Sequence, residues 1–253
     1  MIVLEHIHKV FHKGKVNEVV ALGDVSLQVD KGEFVVMIGA NGSGKSTLLN
    51  IIEGAEKPSR GRVWVKGVDV TELPEYKRSR WIARVFQNPY NGTASELSLL
   101  DNFRLAALRA GRRKLRIGVD RLFQKKVTEK IALLGMGLEN KIHLPMGSLS
   151  GGQRQALTLL MCTMAELDVL LLDEPTAALD PKSAAVVLQL TDRLIREYGL
   201  TAVFITHNLK DALQYGNRLV QVGGGGIVRD LKAAEKARLQ LPDMYDWFAV
   251  TTP

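Results

Sequence analysis

The residues whose types and spacing most clearly indicate chemistry form a glycine-rich stretch, Gly39-Ala40-Asn41-Gly42-Ser43-Gly44-Lys45-Ser46-Thr47. It has the pattern of a phosphate-binding loop, in which glycines let the backbone curl so that its N–H groups point at phosphate oxygens. The Lys45 ammonium can reach the β- and γ-phosphates of a nucleotide, and the Ser46 hydroxyl can bind Mg²⁺. An ordinary glycine-rich turn is the alternative, and the flanking segments decide against it.

Two segments must position this loop. Residues 34–38 are continuously apolar and β-prone, which is typical of a buried parallel strand. Residues 48–52 indicate the first turns of a helix, whose N-terminus adds the positive end of a dipole. Strand, glycine turn and helix is the context that the motif requires, so we expect residues 39–47 to bind phosphate.

A second candidate group follows the apolar segment 169–172, where two carboxylates, Asp173 and Glu174, come in succession. An all-apolar strand is buried, so these carboxylates emerge at its C-terminal edge, where ligands bind in open α/β sheets. A helix N-cap is the plainer interpretation, but the upstream phosphate loop favours Mg²⁺ binding and catalysis. The apolar segment 202–205 likewise places His207 at this edge.

Other positions leave alternatives open. Gln87 ends a short apolar strand and is either a loop hydrogen-bonding group or a ligand of Mg²⁺ and water. Phe11 stands just before the first turn, and on its own it is best explained by core packing. The segment 147–155 contains Ser150 and paired glycines at the start of an apolar helix over 156–165, which predicts a second anion site. One phosphate loop accounts for one nucleotide, so this second site calls for a partner.

Composition sets the broad class. The chain has 253 residues, 46% hydrophobic and 24% charged, as in a soluble globular protein with one large or two small domains. Its single cysteine, Cys162, excludes an intrachain disulfide and lies in an apolar stretch that indicates a buried thiol. The longest apolar run is too short to span a membrane, and no signal peptide is recognisable. We therefore expect a cytoplasmic protein.

The net charge of the chain says less about its binding partners. A net charge of +7 fits nucleic acid, an anionic membrane surface, or nothing specific. Residues 93–146 are rich in Leu and Ala at helical spacing, which indicates a helical insertion. It carries a basic run, for which a solvated helical face is the plainer interpretation and contact with lipid head groups or a protein the alternative. The run comprises Arg109, Arg112, Arg113, Lys114, Arg116, Arg121, Lys125 and Lys126.

Taken together, the motifs resemble those of the ATP-binding cassette (ABC) ATPases, in order and in spacing, from about residue 2 to 230. The resemblance assigns a role to each candidate. These are the phosphate loop at 39–47, Gln87 as the Q-loop glutamine and a Mg²⁺ ligand, Leu149-Ser150-Gly151-Gly152-Gln153 as the family signature, Asp173 and Glu174 as the Mg²⁺-site aspartate and the catalytic glutamate, Asp180 as the D-loop aspartate, and His207 as the switch histidine. It also reverses the interpretation of Phe11, which falls where the family stacks an aromatic ring on adenine.

The resemblance implies an α/β fold: a P-loop NTPase core with a mixed central sheet flanked by helices, an N-terminal antiparallel β subdomain and an inserted α-helical subdomain. Residues 1–230 would form a single ABC ATPase domain, with the insertion at about 93–165, and 231–253 a short helix and tail. Two mild departures are Ala177, where a serine is common, and Asn208, where an aspartate is frequent.

The family also implies ATP and Mg²⁺ as cofactors and a head-to-tail homodimer with two ATP molecules between the subunits. Each ATP would lie between the phosphate loop of one chain and Ser150, Gly151 and Gly152 of the other, which accounts for the second anion site. Lys45 and the opposing helix N-terminus would neutralise the γ-phosphate. Glu174 would polarise the attacking water, and His207 would hold the γ-phosphate and the water in place.

A cassette without a membrane span implies permease subunits on other chains, and hence a place at the cytoplasmic face of the cell membrane. An importer with a solute-binding protein is expected, because three segments resemble a bacterial subgroup with amino-acid-type permeases: residues 73–78, 91–94 and 212–218. The alternatives are an exporter or a lipoprotein-extraction complex, and a cassette acting on ribosomes or DNA. The last usually has two cassettes or long insertions, so no nucleic-acid partner is expected.

Overall fold

The computed structural model describes residues 1–109 and 120–249. The strands are β1 (Ile2–Phe11), β2 (Val19–Val29), β3 (Phe34–Ile38), β4 (Arg60–Val65), β5 (Val68–Asp69), β6 (Ile82–Val85), β7 (Val169–Asp173), β8 (Thr201–Ile205), β9 (Arg218–Gly223) and β10 (Gly226–Leu231). The α-helices are α1 (Lys45–Glu53), α2 (Glu75–Arg78), α3 (Leu99–Ala107), α4 (Arg121–Ala132), α5 (Gly151–Cys162), α6 (Pro181–Tyr198), α7 (Leu209–Gln214), α8 (Ala233–Lys236) and α9 (Leu241–Ala249).

The chain forms two compact units, one of Met1–Arg78 with Ile195–Pro253 and the other of Ser79–Leu194. The first unit contains an antiparallel sheet in the order β2-β1-β4-β5. In its register Leu4 lies opposite both Leu27 and Val63, and all three side chains are buried. The alternation of buried and exposed residues along these strands leaves one face of the sheet for the core.

The first unit also contains β10, β9, β3 and β8, side by side in that order. β3 is parallel to both β8 and β9, whereas β10 is antiparallel to β9, so the sheet is mixed. Every residue of β3 is buried, as the apolar sequence predicts for a central parallel strand. The predicted α/β fold, with a mixed sheet and an antiparallel N-terminal sheet, is confirmed.

The second unit pairs β6 and β7 in parallel and packs α3, α4 and α5 on one another. The interior of the helical part includes Phe103, Val127 and Ile131, which are fully buried. The predicted apolar helix over 156–165 begins earlier, at Gly151, because Ser150 caps it, and ends at Cys162. The second unit, Ser79–Leu194, covers a longer stretch of the chain than the expected insertion at 93–165 and includes all of it.

The helix α6 is strongly amphipathic, with buried Val187, Leu190 and Leu194 spaced for one face. Charged residues such as Asp192 and Arg193 interrupt its apolar sequence. Over the ranges 1–109 and 120–249, no helix is both long and apolar enough to cross a membrane.

The described residues of the basic run differ in their exposure to solvent. Arg121, Lys125 and Lys126 are exposed, as predicted for a solvated face. The prediction is wrong for Arg109, which is half-buried and donates hydrogen bonds to the carbonyls of Cys162 at 3.0 Å and Glu166 at 3.4 Å. It follows the end of α3, where the chain lies against the end of α5. The remaining members, Arg112, Arg113, Lys114 and Arg116, lie outside the described residues.

The predicted burial of Cys162 is confirmed, and this burial gives a testable chemical property. Loss of hydration raises the pKa of the Cys162 thiol to about 11, against the opposing effect of the Arg109 guanidinium. At pH 8 the reactive thiolate is then about a thousandth of the population, against roughly a quarter for an unperturbed thiol. We expect the folded protein to react with DTNB at least about 100 times more slowly than the urea-unfolded chain. Equal rates would contradict the burial.

Candidate nucleotide-binding and catalytic site

The predicted phosphate loop curls as its glycines require. Gly39, Gly42 and Gly44 all have positive φ angles, of 154°, 78° and 103°. At Gly39 there is also no space for a side chain, because a Cβ atom would lie 2.1 Å from the Val222 carbonyl oxygen. At Gly44 it would lie 2.6 Å from the Ala21 carbonyl oxygen. Both glycines are thus needed for the path of the backbone as well as for its conformation.

The Lys45 side chain is buried inside this loop. Its Nζ donates hydrogen bonds to the carbonyls of Gly39 and Ala40, both at 2.8 Å, and to Ser43 Oγ at 3.4 Å. The ammonium therefore lies within the loop, with Ser43 also buried beside it. A positive charge fixed there attracts an anion bound by the loop's N–H groups.

The helix α1 adds to this attraction. Its N-cap is Gly44, which supplies no side chain to cap the first-turn N–H groups, and that turn contains no acidic residue. Such a helix start is an anion-binding end. Ser46 is exposed in the first turn, as required of a hydroxyl that would bind Mg²⁺. At the other end of α1 the buried Arg78 guanidinium donates to the carbonyls of Ile51 and Ile52 and holds the helix in place.

Phe11 lies at the end of β1 on a partly exposed apolar surface. Its partner across the antiparallel pair is Val19, and the neighbouring pair is Val10 with Val20; both Val19 and Val20 are exposed. Lys9 Nζ lies 4.7 Å from the centroid of the Phe11 ring. The core packing that Phe11 suggested in isolation is not what the structure shows, and its predicted stacking on adenine stays a prediction.

His207 is exposed and follows β8, one residue beyond Thr206. The Thr206 N–H donates to the Met37 carbonyl at 3.2 Å, which ties the end of β8 to the end of β3. His207 and the phosphate loop thus follow the C-terminal ends of two neighbouring parallel strands, at the same edge of the sheet. Asn208, the departure from the family pattern, caps α7 by accepting hydrogen bonds from the N–H groups of Lys210 and Asp211. Asn208 therefore caps the helix as an aspartate at that position would.

The predicted carboxylate pair lies at the C-terminal end of β7, where Asp173 is the last residue of the strand and Glu174 is the next residue. Glu174 has a φ angle of +45°, unusual for a residue with a side chain, so its backbone is held in a sparsely populated conformation. Asp173 Oδ2 lies 2.6 Å from Nη2 of Arg84 on the neighbouring strand β6. Gln87 Nε2 lies 3.4 Å from Glu174 Oε2, so the structure brings the predicted Q-loop glutamine and the predicted catalytic glutamate together.

The signature segment starts α5 with a reciprocal cap. Ser150 Oγ accepts a hydrogen bond from the Gln153 N–H at 3.3 Å, and Gln153 Oε1 accepts one from the Ser150 N–H at 3.2 Å. The first turn holds no acidic residue. The Ser150 hydroxyl still has its proton to donate. The cap uses the side-chain oxygen of Gln153, and the predicted contact of Gln153 with ATP stays a prediction.

The start of α6 lies against this segment. A Cβ atom at Gly152 would lie 2.5 Å from Ser183 Cβ, and one at Gly151 would lie 3.3 Å from Leu179 Cδ2. Asp180 Oδ1 accepts hydrogen bonds from the N–H groups of Lys182 and Ser183, both at 3.1 Å. Hydrogen bonding to Ser183 lowers the pKa of Asp180, which is therefore ionised at neutral pH. Its predicted role towards a nucleotide stays a prediction.

Arg84 is a residue of this site that the sequence did not predict. The available signal is a single basic residue in an otherwise apolar strand, next along the sheet from a strand that ends in carboxylates. One charge in so short a strand does not reveal its partner, because register between strands is decided by the whole sheet.

The donor chemistry fits Mg²⁺, which prefers oxygen ligands and is usually bound by one or two carboxylates together with substrate phosphates. Asp173 offers a carboxylate and Ser46 a hydroxyl of this kind. In the part of the chain that the structure describes, no cluster of three or more His, Cys, Asp or Glu residues could hold a metal ion by itself.

The chain matches a known protein family and is similar to individual proteins of that family. Residues 22–177 match the family model described as ABC transporter. The chain is 44% identical over 228 residues to a tyrosine transport ATP-binding protein of Clostridioides difficile (strain R20291), covering 89% of each chain. It is 36% identical over 247 residues to the methionine import ATP-binding protein MetN of Aliivibrio fischeri (strain ATCC 700601 / ES114), covering 94% of this chain and 69% of that protein.

Among solved structures, the fold is similar to a dimeric structure of a post-hydrolysis state of the ATP-binding cassette MJ0796 bound to ADP and Pi. The TM-score is 0.79 at 30% sequence identity, over 92% of this chain and 99% of that one.

Proposed function

Because this chain belongs to the ABC transporter family and is an ATP-hydrolysing cassette, we propose that it powers a membrane importer of a small solute such as an amino acid. The observation that carries this proposal is the 44% identity to a tyrosine transport ATP-binding protein, which extends over 89% of both chains. The similarity to a methionine import protein points to the same class of solute.

In the proposed reaction the phosphate loop binds the β- and γ-phosphates of ATP through its N–H groups, the α1 N-terminus and Lys45. Ser46 and Asp173 hold Mg²⁺, with Gln87 as a further ligand. The bound metal supplies charge neutralisation on the phosphate oxygens. Phe11 stacks on adenine, and its partly exposed position beside Val19 suits a flat ring.

Glu174 accepts a proton from the attacking water. The φ angle of +45° at Glu174 and its contact with Gln87 help to position the carboxylate. His207 donates to the γ-phosphate and keeps the water in line. Loss of the γ-phosphate is sensed at Gln87, whose preceding residue Phe86 is tied to α5 by a 2.8 Å hydrogen bond from Gln155 Nε2 to the Phe86 carbonyl.

We place a second copy of the chain opposite each ATP. Its Ser150, Gly151 and Gly152, at the N-terminus of α5, face the γ-phosphate, with Gln153 supporting them and Asp180 nearby. The absence of acidic residues from the first turn of α5 supports this assignment, since a carboxylate there would repel phosphate. The dimeric cassette that this fold resembles was solved with ADP and Pi.

The permease is proposed to dock on the second unit, near Gln87 and residues 88–105. Three large apolar side chains there are exposed, namely Tyr90, Leu97 and Leu105. Exposed apolar side chains of this size are typical of protein interaction surfaces. The cassette would then lie at the cytoplasmic face of the membrane, with a solute-binding protein on the other side.

The test is purification of the tagged chain from membranes of its native cell in mild detergent, with mass spectrometry of the proteins that accompany it. We expect a polytopic permease and a solute-binding protein, and the purified binding protein should be stabilised against heating by an amino acid. Import is identified by the binding protein, because an exporter does not need one.

A matched pair of variants tests the docking surface. Leu105→Asp places a charge at a leucine that is 53% exposed, and Leu133→Asp does so at a leucine of the same unit that is 50% exposed. Leu105→Asp should lose the permease, while Leu133→Asp should retain it.

Recovery of ribosomal proteins or of an efflux assembly with the unaltered chain, in place of a permease and a binding protein, would overturn the importer proposal.

A further inference from the structure

Arg84 is a buried charge that the proposed reaction does not use. Its side chain is only 7% exposed, and it stands in β6 between residues that are buried and apolar. Taking a guanidinium out of water is strongly unfavourable unless a partner compensates. The compensating charge is Asp173, whose side chain is 13% exposed and whose Oδ2 lies 2.6 Å from Arg84 Nη2. Asp173 is the residue to which we assign Mg²⁺.

The position of Arg84 is fixed by the sheet and by an aromatic ring. In the parallel register Arg84 lies beside Leu171, and its side chain reaches Asp173, two residues further along β7. Its guanidinium carbon lies 4.9 Å from the centroid of the Phe86 ring. The main chain at Phe86 is held in turn by Gln155. The guanidinium is therefore held beside Asp173 by its surroundings as well as by the ion pair.

The ion pair between Arg84 and Asp173 lowers the net negative charge that the two carboxylates present to a metal ion. Asp173 and Glu174 together would present two negative charges to a divalent cation, and Arg84 cancels one of them. An arginine remains protonated at any physiological pH. It also donates a hydrogen bond to Asp173 Oδ2, so a metal that binds Asp173 shares the carboxylate with the guanidinium or displaces it, and the positive charge repels the metal in both cases.

We propose that Arg84 is a positioning residue that competes with Mg²⁺ for Asp173, so that the metal is held firmly only with the nucleotide phosphates that accompany it. This inference rests on the proposed function, because it takes Asp173 as a metal ligand. Its consequence is a weak affinity for free divalent cations: the carboxylate is neutralised before ATP arrives and becomes a ligand afterwards.

Mn²⁺ binding, followed by electron paramagnetic resonance on nucleotide-free protein, tests the proposal without any measurement of hydrolysis. Arg84→Met removes the charge at similar length, and we expect it to bind Mn²⁺ about tenfold more tightly than the unaltered chain. Arg84→Lys keeps a positive charge there and should stay within about twofold of the unaltered chain. Arg121→Met, at an exposed arginine of the same unit, controls for net charge and should change nothing.

Two further variants make each outcome decisive. Arg84→Gln keeps an N–H donor for Asp173 without the charge, so it replaces Arg84→Met if that variant does not fold, and tighter Mn²⁺ binding is again expected. Unchanged or weaker binding in the folded neutral variant overturns the role of Arg84. Asp173→Asn tests the premise separately: if it leaves Mn²⁺ affinity unchanged, Asp173 is not a ligand and the proposed function of that residue fails.

Discussion

Replacement of Glu174 by glutamine is expected to lower the turnover number for ATP by about 100-fold or more, while leaving the affinity for ATP unchanged. Glutamine has the same shape and can still accept the hydrogen bond from Gln87 Nε2 through its amide oxygen. It is far too weak a base to take a proton from water. Single-turnover hydrolysis and equilibrium binding of a fluorescent ATP analogue, measured on the same preparation, separate the two effects.

The control for Glu174→Gln is Glu166→Gln, an exposed glutamate of the same unit, which should hydrolyse ATP as the unaltered chain does. Size-exclusion chromatography with ATP and Mg²⁺ adds a second readout. The Glu174→Gln chain should elute as a dimer because the ATP between its subunits is not consumed. Turnover at the rate of the unaltered chain would remove Glu174 from its proposed role as general base.

Replacement of Lys45 by methionine is expected to weaken ATP binding by about 10- to 100-fold, the loss of one or two charge-assisted hydrogen bonds. The Lys45 ammonium is fixed by the carbonyls of Gly39 and Ala40 and carries the charge that the phosphates meet. Methionine fills much of the same volume but supplies neither charge nor donor. Titration calorimetry with ATP gives the affinity, and circular dichroism checks that the chain is folded.

Lys31→Met is the matched control for Lys45→Met. Lys31 lies in an exposed turn of the same unit, so the variant has the same change in net charge. Its ATP affinity should equal that of the unaltered chain. If the two variants bind ATP equally well, the affinity comes from the overall charge of the protein and the specific role of Lys45 is wrong.

Local patterns predicted the parts of the fold and site that depend on neighbours in sequence. The glycines of the phosphate loop, the buried β3 and the Ser150 helix cap are of this kind, because each is determined by residues a few positions apart. The adenine role of Phe11 needed the family resemblance, since one aromatic residue before a turn is consistent with a core position as well.

What the sequence left unpredicted depends on register and on distant contacts. Arg84 reaches Asp173 only because β6 and β7 are neighbours in a fixed register, and no local pattern contains that information. Arg109 was expected on a solvated face, but it reaches the carbonyls of Cys162 and Glu166, more than fifty positions away. A long side chain finds such partners through the packing of helices and not through its own sequence context.

The close approach of Gly152 to Ser183 has a mechanical consequence. Because there is no room for even one methyl group between Gly152 and Ser183, the first turns of α5 and α6 pack in direct contact, which favours their movement as one block. In a dimer, the same block would carry both Ser150 and Asp180 towards the partner's nucleotide. A subunit that withdraws one of these contacts would therefore withdraw the other with it.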